Sequence, residues 1–319
     1  RARGNGGMTK RDYLSGLELT ANETLGLIER AVVQKKETKA GKTHTSLAGK
    51  NFALLFEKTS TRTRVSFQVG VSQLGGSSLF LSPKDTQLSR GETLADSAKV
   101  LSEYVDGIIV RTFGHDRIEE LAKHASVPVI NGLTDLHHPC QALADYLTMR
   151  ERFGKTQGLK IAYLGDGNNV LHSLMRVGAL IGVNVSAACA PGFEPDDGVI
   201  EKTRELAAAS GASIDISSDV QSATEGAHAI YTDVWVSMGQ ESESDRRMKA
   251  LAPYQVNEAA FRNAEPDAIF MHCLPAHRGE EVEDELIDGP RSAVFEQAGN
   301  RLYAQKILLE ILAGGKNAL

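Results

Sequence analysis

Short apolar runs alternate with helical patterns twice along this chain of 319 residues. The runs of the first half are at 51–56, 78–81, 107–111 and 127–130, and those of the second half begin at Lys160, Val183, Ala229 and Ala268. Short strands with few charges, separated by helices, are typical of parallel sheets that helices cover on both faces. The sequence therefore predicts an α/β protein with two doubly wound domains, each a mostly parallel sheet flanked by helices.

A long helical pattern at 138–153 joins the two halves and begins with Pro139, a residue suited to the first turn of a helix. We expect the domain boundary close to the end of this helix. The predicted bounds are 8–150 for the first domain, with a last helix within 300–319 packing back on it, and 151–299 for the second. Residues 1–7 precede Met8, look like an expression scar and take no part in this prediction.

The composition narrows the class of protein. Apolar residues make up 41% of the chain, enough for packed cores, and the net charge of −6 argues against a general nucleic-acid binder. No run approaches the roughly 18 apolar residues of a membrane span, and no secretory signal opens the chain. Cys140, Cys189 and Cys273 are too few and too scattered for a disulfide framework. We therefore expect a cytoplasmic protein without nucleic-acid or membrane partners.

The segment from Ser60 to Arg64, STRTR, follows the first apolar run and precedes a helical pattern. A strand-to-helix turn of this kind offers free backbone N–H groups and the positive end of a helix dipole. The hydroxyls and the guanidinium of Arg62 add donors that suit a phosphate group. An ordinary N-cap with exposed arginines explains the bare pattern equally well, so both interpretations stay open.

Two charged side chains stand at predicted strand ends. Arg111 ends the run at 107–111, where open α/β sheets place their ligands, and it is suited to an anion. Asp233 closes the strand that begins at Ala229 and is suited to an ammonium group. A surface arginine and a turn-capping aspartate are the plainer alternatives, and neither is excluded at this point.

Histidine and cysteine occur together twice. His138, Cys140 and Gln141 open the linking helix, but no second ligand pair has the spacing of a zinc site, so we predict hydrogen bonding there and no metal. His272 and Cys273 are neighbours at a predicted strand end and therefore point to opposite faces, which argues against a nucleophile–base dyad. A buried thiol beside a satisfied histidine and a polar role for Cys273 both remain open.

The turn from Gly165 to Val170 follows a strand and opens a helix, yet it fails as a dinucleotide fingerprint. Val170 replaces the third glycine, and the next strand lacks the acid that would bind a ribose, so no cofactor is predicted. Asn168 is suited to a polar substrate instead. The polar segment at 237–252 is predicted to be a long mobile loop.

Together these segments resemble the aspartate/ornithine carbamoyltransferase family over about residues 11–313. The motifs that carry the resemblance are, in chain order, Ser60-Thr-Arg-Thr-Arg64, His138-Pro-Cys-Gln141, Asp233-Val-Trp-Val-Ser-Met-Gly239 and His272-Cys-Leu-Pro275. Four such motifs in this order hardly occur by chance. The family implies a carbamoyl-phosphate domain, an amino-acid domain, and a homotrimer or an assembly of trimers with sites at subunit interfaces.

The resemblance also implies roles for individual residues, and it is strongest to members that use L-ornithine. Carbamoyl phosphate would be held by Ser60, Thr61, Arg62, Thr63, Arg64, Arg111, His138, Gln141, Arg301, the backbone at Cys273 and Leu274, and Gln87 from a neighbouring subunit. L-Ornithine would be held by Asn168, Asp233, Ser237 and Met238, with Cys273 as the proton acceptor. Neither a cofactor nor a metal ion is implied.

The implied reaction is direct transfer. The neutral δ-amine of ornithine attacks the carbamoyl carbon, and an oxyanion forms that faces Arg111, His138 and Thr63 before phosphate leaves and L-citrulline results. A sister transferase with putrescine, aspartate or an acetylated ornithine as acceptor is the nearest alternative. A non-catalytic anion-binding protein of the same fold and a dehydrogenase are more distant ones.

Overall fold

The computed structural model describes residues 10–237 and 239–314, which form two parallel sheets of four and five strands. The first sheet contains β1 (Asn51–Phe56), β2 (Ser77–Leu81), β3 (Gly107–Arg111) and β4 (Val129–Leu133). The second contains β5 (Lys160–Gly165), β6 (Asn184–Cys189), β7 (Ile214–Ser217), β8 (Ala229–Thr232) and β9 (Ile269–His272). The strand orders are β2-β1-β3-β4 and β7-β6-β5-β8-β9.

Helices flank both sheets, which confirms the predicted fold class. They are α1 (Ala21–Lys39), α2 (Thr61–Gln73), α3 (Leu94–Tyr104), α4 (His115–His124), α5 (Pro139–Phe153), α6 (Asn169–Ile181), α7 (Asp197–Ser210), α8 (Val220–Thr224), α9 (Ser244–Leu251), α10 (Asp284–Asp288) and α11 (Val294–Ala313). In the described part of the chain, no helix combines the length and apolar character that a membrane crossing requires.

The central strands are buried because helices cover both of their faces. All five residues of β3 are buried, as are Phe52 to Phe56 of β1, so the two strands read as continuous apolar runs. The register pairs Phe52 with Gly107 and Phe56 with Arg111. The carboxyl end of β1 therefore lies beside Arg111.

The linking helix is confirmed as α5, with His138 as its N-cap and Gly154 as its C-cap. Residues 139–149 of α5 are all buried, because α1, α6 and α11 pack around it. One apolar core runs from the first sheet across α5 and α11 to the second sheet. The domain bounds of 8–150, 151–299 and 300–319 remain predictions, and their ends at 8–9 and 315–319 lie outside the described residues.

Three sequence predictions were wrong in detail. The fourth strand occupies Val129–Leu133 rather than 127–130. It begins after Pro128, and the polar Asn131 interrupts the apolar run from which the strand was predicted. The edge strand β7 was missed, although Ile214-Asp-Ile-Ser217 alternates with the period of a strand. The segment at 237–252 contains a 3₁₀ turn at Glu241–Glu243 and then α9, so it is not a continuous loop.

Candidate active site

The turn between β1 and α2 has the predicted strand-to-helix geometry. Ser60 is the N-cap of α2, and its Oγ accepts a hydrogen bond from the Thr63 N–H at 3.2 Å. This cap satisfies one of the first-turn N–H groups and leaves the helix dipole directed at the space in front of the sheet. Ser60, Thr61, Arg62 and Thr63 are thus grouped at one helix start.

Arg301 reaches this turn from α11 and is only 3% exposed. Its Nη2 donates to Thr63 Oγ1 at 3.1 Å and its Nη1 donates to Gln141 Oε1 at 2.6 Å. With the Gln305 amide oxygen turned toward it, Arg301 also donates to that oxygen at 3.2 and 3.1 Å. All these acceptors are neutral, and burial lowers the pKa of Arg301. The guanidinium charge is therefore buried without a contacting carboxylate.

Arg111 and His138 lie in the same positive environment. The Arg111 side chain is 7% exposed and has neither an ion pair nor a hydrogen bond within residues 10–237 and 239–314. Burial, followed by the charges of Arg301 and Arg62, lowers its pKa to about 10. Burial and the same arginines hold the pKa of His138 well below its usual range, so its imidazole is neutral. Buried cations without carboxylate partners point to an anionic ligand.

The ends of β8 and β9 form the facing side of the site. Asp233 accepts from Cys273 Sγ at 2.9 Å, from Asn168 Nδ2 at 2.7 Å and from the Val234 N–H at 2.8 Å. Asn168 in turn caps α6, since its Oδ1 accepts from the Val170 N–H at 2.9 Å. The polar groups of this side are hydrogen-bonded to one another.

Cys273 holds its proton in this arrangement. Burial of the thiol, followed by the nearby charge of Asp233, raises its pKa well above the ordinary value for cysteine. At neutral pH the group is a thiol that donates to Asp233 Oδ1. It can accept a proton from an amine only after passing its own proton to Asp233.

The His272 side chain forms hydrogen bonds with the turn that follows β9, not with Asp233 or Asn168. Its Nδ1 accepts from the Leu274 N–H at 2.8 Å, so its Nε2 carries the proton and donates to Glu281 Oε1 at 3.1 Å. Leu274 has a φ of 59°, a left-handed conformation that leucine rarely adopts. His272 and Cys273 thus have different hydrogen-bond partners. The prediction that they point to opposite faces is wrong, because a His272 ring nitrogen and the Cys273 Sγ lie within 4.8 Å of each other and Cys273 already follows the last residue of β9.

Two residues of the predicted site, Arg64 and Gln87, lie away from the groups described above. Arg64 turns away from the site, with its Nε donating to Gln68 Oε1 at 3.1 Å and its guanidinium 3.7 Å from the Phe80 ring centroid. Gln87 is exposed in the 3₁₀ turn Gln87–Arg90 after β2. The Ser237 N–H donates to Gln240 Oε1 at 3.1 Å, and Met238 lies outside the described residues.

Arg247 on α9 was missed because the segment around it is so polar. Its guanidinium forms a buried ion pair with Asp166, and its Nε donates to the Trp235 carbonyl at 2.6 Å. Burial raises the pKa of Asp166 to about 6 even though Arg247 opposes that shift. The ion pair anchors α9 to the end of β5, and this contact is the physical reason that 237–252 is not a free loop.

A buried polar group on α5, Asp145, was also missed. Its carboxylate contacts Gln141, Gln297 and Tyr231, none of which is more than 1% exposed. In the sequence Gln141, Asp145 and Thr148 recur at i, i+4 and i+7, which marks a polar stripe on an otherwise apolar helix. That stripe is the sequence feature from which a buried polar group on α5 could have been predicted.

Among residues 10–237 and 239–314, two clusters each offer three possible metal-ligand atoms within 4.8 Å of one another: Asp233 with His272 and Cys273, and His277 with Glu280 and Glu281. In the first, both ring nitrogens of His272 already have partners. In the second, Glu281 Oε1 accepts from His272 and from the His277 N–H. At the first cluster a cation would have to displace these hydrogen bonds, whereas in the described part of the chain Glu281 keeps a second, buried oxygen without a hydrogen-bond partner. The expectation of no metal stays a prediction.

The glycine-rich turn after β5 is shaped by packing. A Cβ on Gly167 would lie 2.3 Å from the Pro195 backbone nitrogen, so the residue must be glycine to let the 193–195 segment approach. This packing accounts for the glycine without the close approach of a pyrophosphate that a dinucleotide site requires.

Comparisons with known proteins agree with this site. Residues 11–151 match the family described as "Aspartate/ornithine carbamoyltransferase, carbamoyl-P binding domain", and residues 157–312 match "Aspartate/ornithine carbamoyltransferase, Asp/Orn binding domain". The ornithine carbamoyltransferase of Thermococcus kodakarensis is 54% identical over 305 residues, which are 96% of this chain and 97% of that protein.

Two matches from Pyrococcus furiosus are similarly extensive. The protein named "Ornithine carbamoyltransferase, anabolic" is 52% identical over 305 residues, 96% of this chain and 97% of that protein. A solved structure of ornithine carbamoyltransferase from this organism has a TM-score of 0.93 at 51% identity and covers 97% of this chain and 99% of that chain. This chain therefore belongs to the aspartate/ornithine carbamoyltransferase family.

Proposed function

We propose that this protein transfers the carbamoyl group of carbamoyl phosphate to the δ-amine of L-ornithine, giving L-citrulline and phosphate. One observation carries the proposal: buried arginines that lack carboxylate partners lie near the hydrogen-bonded pair of Asp233 and Cys273. The charge of Arg62 acts on Arg111, Arg301 and Cys273 alike, so the two groups of side chains share one site. The first group suits an anion and the second suits an amine.

The arginine-rich side would bind carbamoyl phosphate. The first turn of α2, with Ser60 to Thr63, offers N–H groups, hydroxyls and a guanidinium to the phosphate. Arg111 and the neutral imidazole of His138 would face the carbamoyl oxygen, where negative charge develops in the tetrahedral intermediate. Donors fixed in place before the reaction stabilise that charge by a few kcal/mol each, roughly 3 for one donor.

The opposite side would bind ornithine and take up its proton. The side-chain amine has a pKa near that of lysine, about 10, so the enzyme must bind the ammonium and remove one proton before attack. Asp233 is the carboxylate at this place, and the Cys273 thiol is hydrogen-bonded to it. We assign the first proton transfer to the Cys273–Asp233 pair, with Asn168 and Ser237 holding the α-substituents.

The step itself balances without a covalent enzyme intermediate. The lone pair of the δ-nitrogen forms a bond to the carbamoyl carbon, and the bond from that carbon to the phosphate oxygen breaks. Phosphate leaves with the bonding electrons and stays beside the arginines, while the nitrogen passes its remaining excess proton to the departing phosphate oxygen. Holding both substrates in one cleft supplies the proximity that the reaction needs.

The test is a citrulline assay with ornithine and carbamoyl phosphate, run in parallel with putrescine and with aspartate as acceptors. We expect product with ornithine and at least a hundredfold lower kcat/KM with the other amines, since each leaves buried polar groups unpaired. No citrulline from folded protein would overturn the assignment, and faster reaction with putrescine would favour the sister activity. Because the P. furiosus relative is named anabolic, we propose that the reaction runs toward citrulline in arginine biosynthesis.

We further propose that the active form is a homotrimer or an assembly of trimers. Val65 and Val69 on α2 and Leu79 on the edge strand β2 are 51%, 38% and 41% exposed, which is unusual for three apolar side chains on adjoining elements. Gln87 follows the same strand and lies outside its own chain's site, as a residue that serves a neighbouring subunit should. Light scattering of the native protein and of Val69→Asp tests this, and a monomeric native protein with full activity would contradict it.

The assignment of the two halves to separate substrates remains our proposal. It places carbamoyl phosphate on 8–150 and ornithine on 151–299. The last helix, α11, packs on α1, α2 and α5 and would bring Arg301 to carbamoyl phosphate. A cytoplasmic location is proposed on the three free cysteines, which fit a reducing compartment. Cell fractionation would test the location.

A further inference from the structure

A chain of buried hydrogen bonds runs behind the proposed substrates. It starts at Thr63, whose Oγ1 accepts from Arg301 at 3.1 Å, and continues from Arg301 to Gln141 Oε1 at 2.6 Å. Gln141 Nε2 then donates to Asp145 Oδ1 at 2.8 Å. Each of these four side chains is at most 3% exposed. The carbamoyl side of the site is therefore tied to a carboxylate deep in α5.

The same carboxylate is tied to the ornithine side. Asp145 Oδ1 accepts a second bond from Gln297 Nε2 at 2.7 Å, and Gln297 Oε1 accepts from the His272 N–H at 2.9 Å. The Tyr231 hydroxyl accepts from Gln297 Nε2 at 3.1 Å and contacts Asp145 Oδ2 at 3.3 Å. His272 directly precedes Cys273 in the chain, and Tyr231 lies on the strand that leads to Asp233. One carboxylate oxygen thus joins both sides.

We propose that Asp145 and Gln297 are positioning residues, which hold Arg301 and Gln141 at a fixed distance from the strand ends that carry Asp233 and Cys273. The inference rests on the proposed function and adds to it, because both side chains are fully buried and neither is among the residues proposed to hold a substrate. Reacting atoms must approach to about 3 Å, and a displacement of 1 Å by a remote change can lower the rate on the order of 100-fold. A link through one shared oxygen is suited to set that distance.

The helices that carry Asp145 and Gln297, α5 and α11, contain a second buried polar cluster that provides a matched control. Asn300 Nδ2 donates to Thr148 Oγ1 at 2.9 Å and to Glu151 Oε2 at 2.8 Å. Asn300 is fully buried, like Gln297, and it lies one turn further along α11. Its Oδ1 also accepts from Lys35 Nζ on α1 at 2.7 Å, so its bonds join α11 to α5 and α1, but none of them reaches a strand end. A purely structural role would make the two clusters equivalent.

The first experiment compares Gln297→Met with Asn300→Leu, since each replaces a buried amide with an apolar side chain of similar shape. We expect Gln297→Met to lower kcat roughly 10- to 100-fold while the Kd of carbamoyl phosphate, measured by calorimetry without ornithine, changes less than about threefold. Asn300→Leu should lower the melting temperature by a similar amount and keep kcat within about twofold. Equal losses of kcat in the two variants would overturn the proposal.

The second experiment compares two changes at Asp145. Asp145→Asn keeps an oxygen in the Oδ1 position, which can still accept from both glutamines, whereas Asp145→Leu removes that acceptor. We expect Asp145→Asn to have a kcat at least about tenfold above that of Asp145→Leu. Equal kcat values would overturn the proposal, and if Asp145→Leu does not fold, the comparison of Gln297→Met with Asn300→Leu decides. Failure of the native protein to make citrulline would instead overturn the proposed function itself.

Discussion

The carbamoyl side of the site and the ornithine side differ in how their polar groups are satisfied. In the described part of the chain the Arg111 side chain has no partner, and Arg301 contacts only neutral acceptors. Asp233, in contrast, accepts from a thiol, an amide and a backbone N–H. Buried charge without a partner destabilises a fold, so an anion that binds to the first side stabilises the protein. On the second side a ligand must exchange existing hydrogen bonds for its own.

This difference indicates how the two substrates are recognised. Binding to the arginine-rich side is favoured by charges that the fold leaves unneutralised, and it therefore needs little rearrangement. Binding to the Asp233 side gains only the difference between new and old hydrogen bonds, which is typically about 1 kcal/mol for each. We infer that affinity depends mostly on the first side, whereas the choice of acceptor and the proton transfer depend on the second.

The largest effect on turnover is expected for Arg111→Met. Loss of one donor aimed at a developing oxyanion lowers kcat by roughly 100- to 1000-fold. The same change should leave the ligand-free protein at least as stable as the native one, because it removes a buried cation without a partner. Steady-state kinetics and thermal melts with and without phosphate measure both effects.

The control for this change is Arg117→Met, because Arg117 lies close in sequence and already pairs with Glu57 at 2.6 Å. Phosphate should raise the melting temperature of the native protein and of Arg117→Met more than that of Arg111→Met. Equal stabilisation of all three by phosphate would remove the contrast between the two sides.

A smaller loss is expected for Cys273→Ala. The thiol orients Asp233 through its hydrogen bond, so its removal should lower kcat about 100-fold, the lower end of the range for a proton-transfer group, with little effect on carbamoyl phosphate affinity. Cys189→Ala is the matched control, since Cys189 is a buried thiol at the end of β6 in the same sheet. Equal losses of turnover and of carbamoyl phosphate affinity in Cys273→Ala would count against separate roles for the two sides.

The contrast between the sides also explains what the sequence could predict. Arg111, Asp233 and Cys273 each follow a short apolar run, and parallel strands bring their carboxyl ends to one edge of a sheet. Strand periodicity therefore placed these residues near a ligand, and the resemblance then supplied the roles. Arg64 shows the limit of that transfer, because its guanidinium lies over the Phe80 ring although it belongs to the same motif as Arg62.

The contacts between distant helices could not be predicted. Asp145 and Gln297 occur 152 positions apart, on helices whose apolar patterns do not say which faces meet. The polar stripe on α5 indicated a buried partner, but only the packing of α5 against α11 identifies it. Arg247 could not be predicted for a related reason. Its partner Asp166 lies far away in the sequence, at the end of β5, and other charged residues surround Arg247 in the sequence.

A still smaller effect is expected for Arg247→Met, and it concerns the KM of ornithine rather than turnover. Removal of the ion pair with Asp166 loosens α9 and the segment that begins at Ser237, so the KM of ornithine should rise roughly 3- to 10-fold, as expected for about 1 kcal/mol of lost binding. Arg246→Met is the control, because Arg246 is the exposed neighbour on the same helix. A similar rise in the KM of carbamoyl phosphate would show that α9 supports both sides.

The smallest effect on turnover is expected for Asp145→Asn, yet its effect on stability should depend on pH. Burial raises the pKa of Asp145 to about 7, against the opposing hydrogen bonds from Gln141, Gln297 and Tyr231 and the charge of Arg301. A folded-state pKa above the unfolded value favours the protonated form, so this contribution to stability is complete below about pH 4 and is lost as pH rises through about 7.

Asparagine does not titrate, so the free energy of unfolding of the native protein should fall relative to that of Asp145→Asn between about pH 4 and pH 7. Each pKa unit corresponds to about 1.4 kcal/mol, which limits the relative change to about 4 kcal/mol. Urea unfolding across this pH range measures it, and Asp267→Asn, which alters an exposed carboxylate, should track the native protein. A pH-independent difference would mean that Asp145 stays ionised between the two sides, and that charge as well as geometry then links the arginines to Asp233.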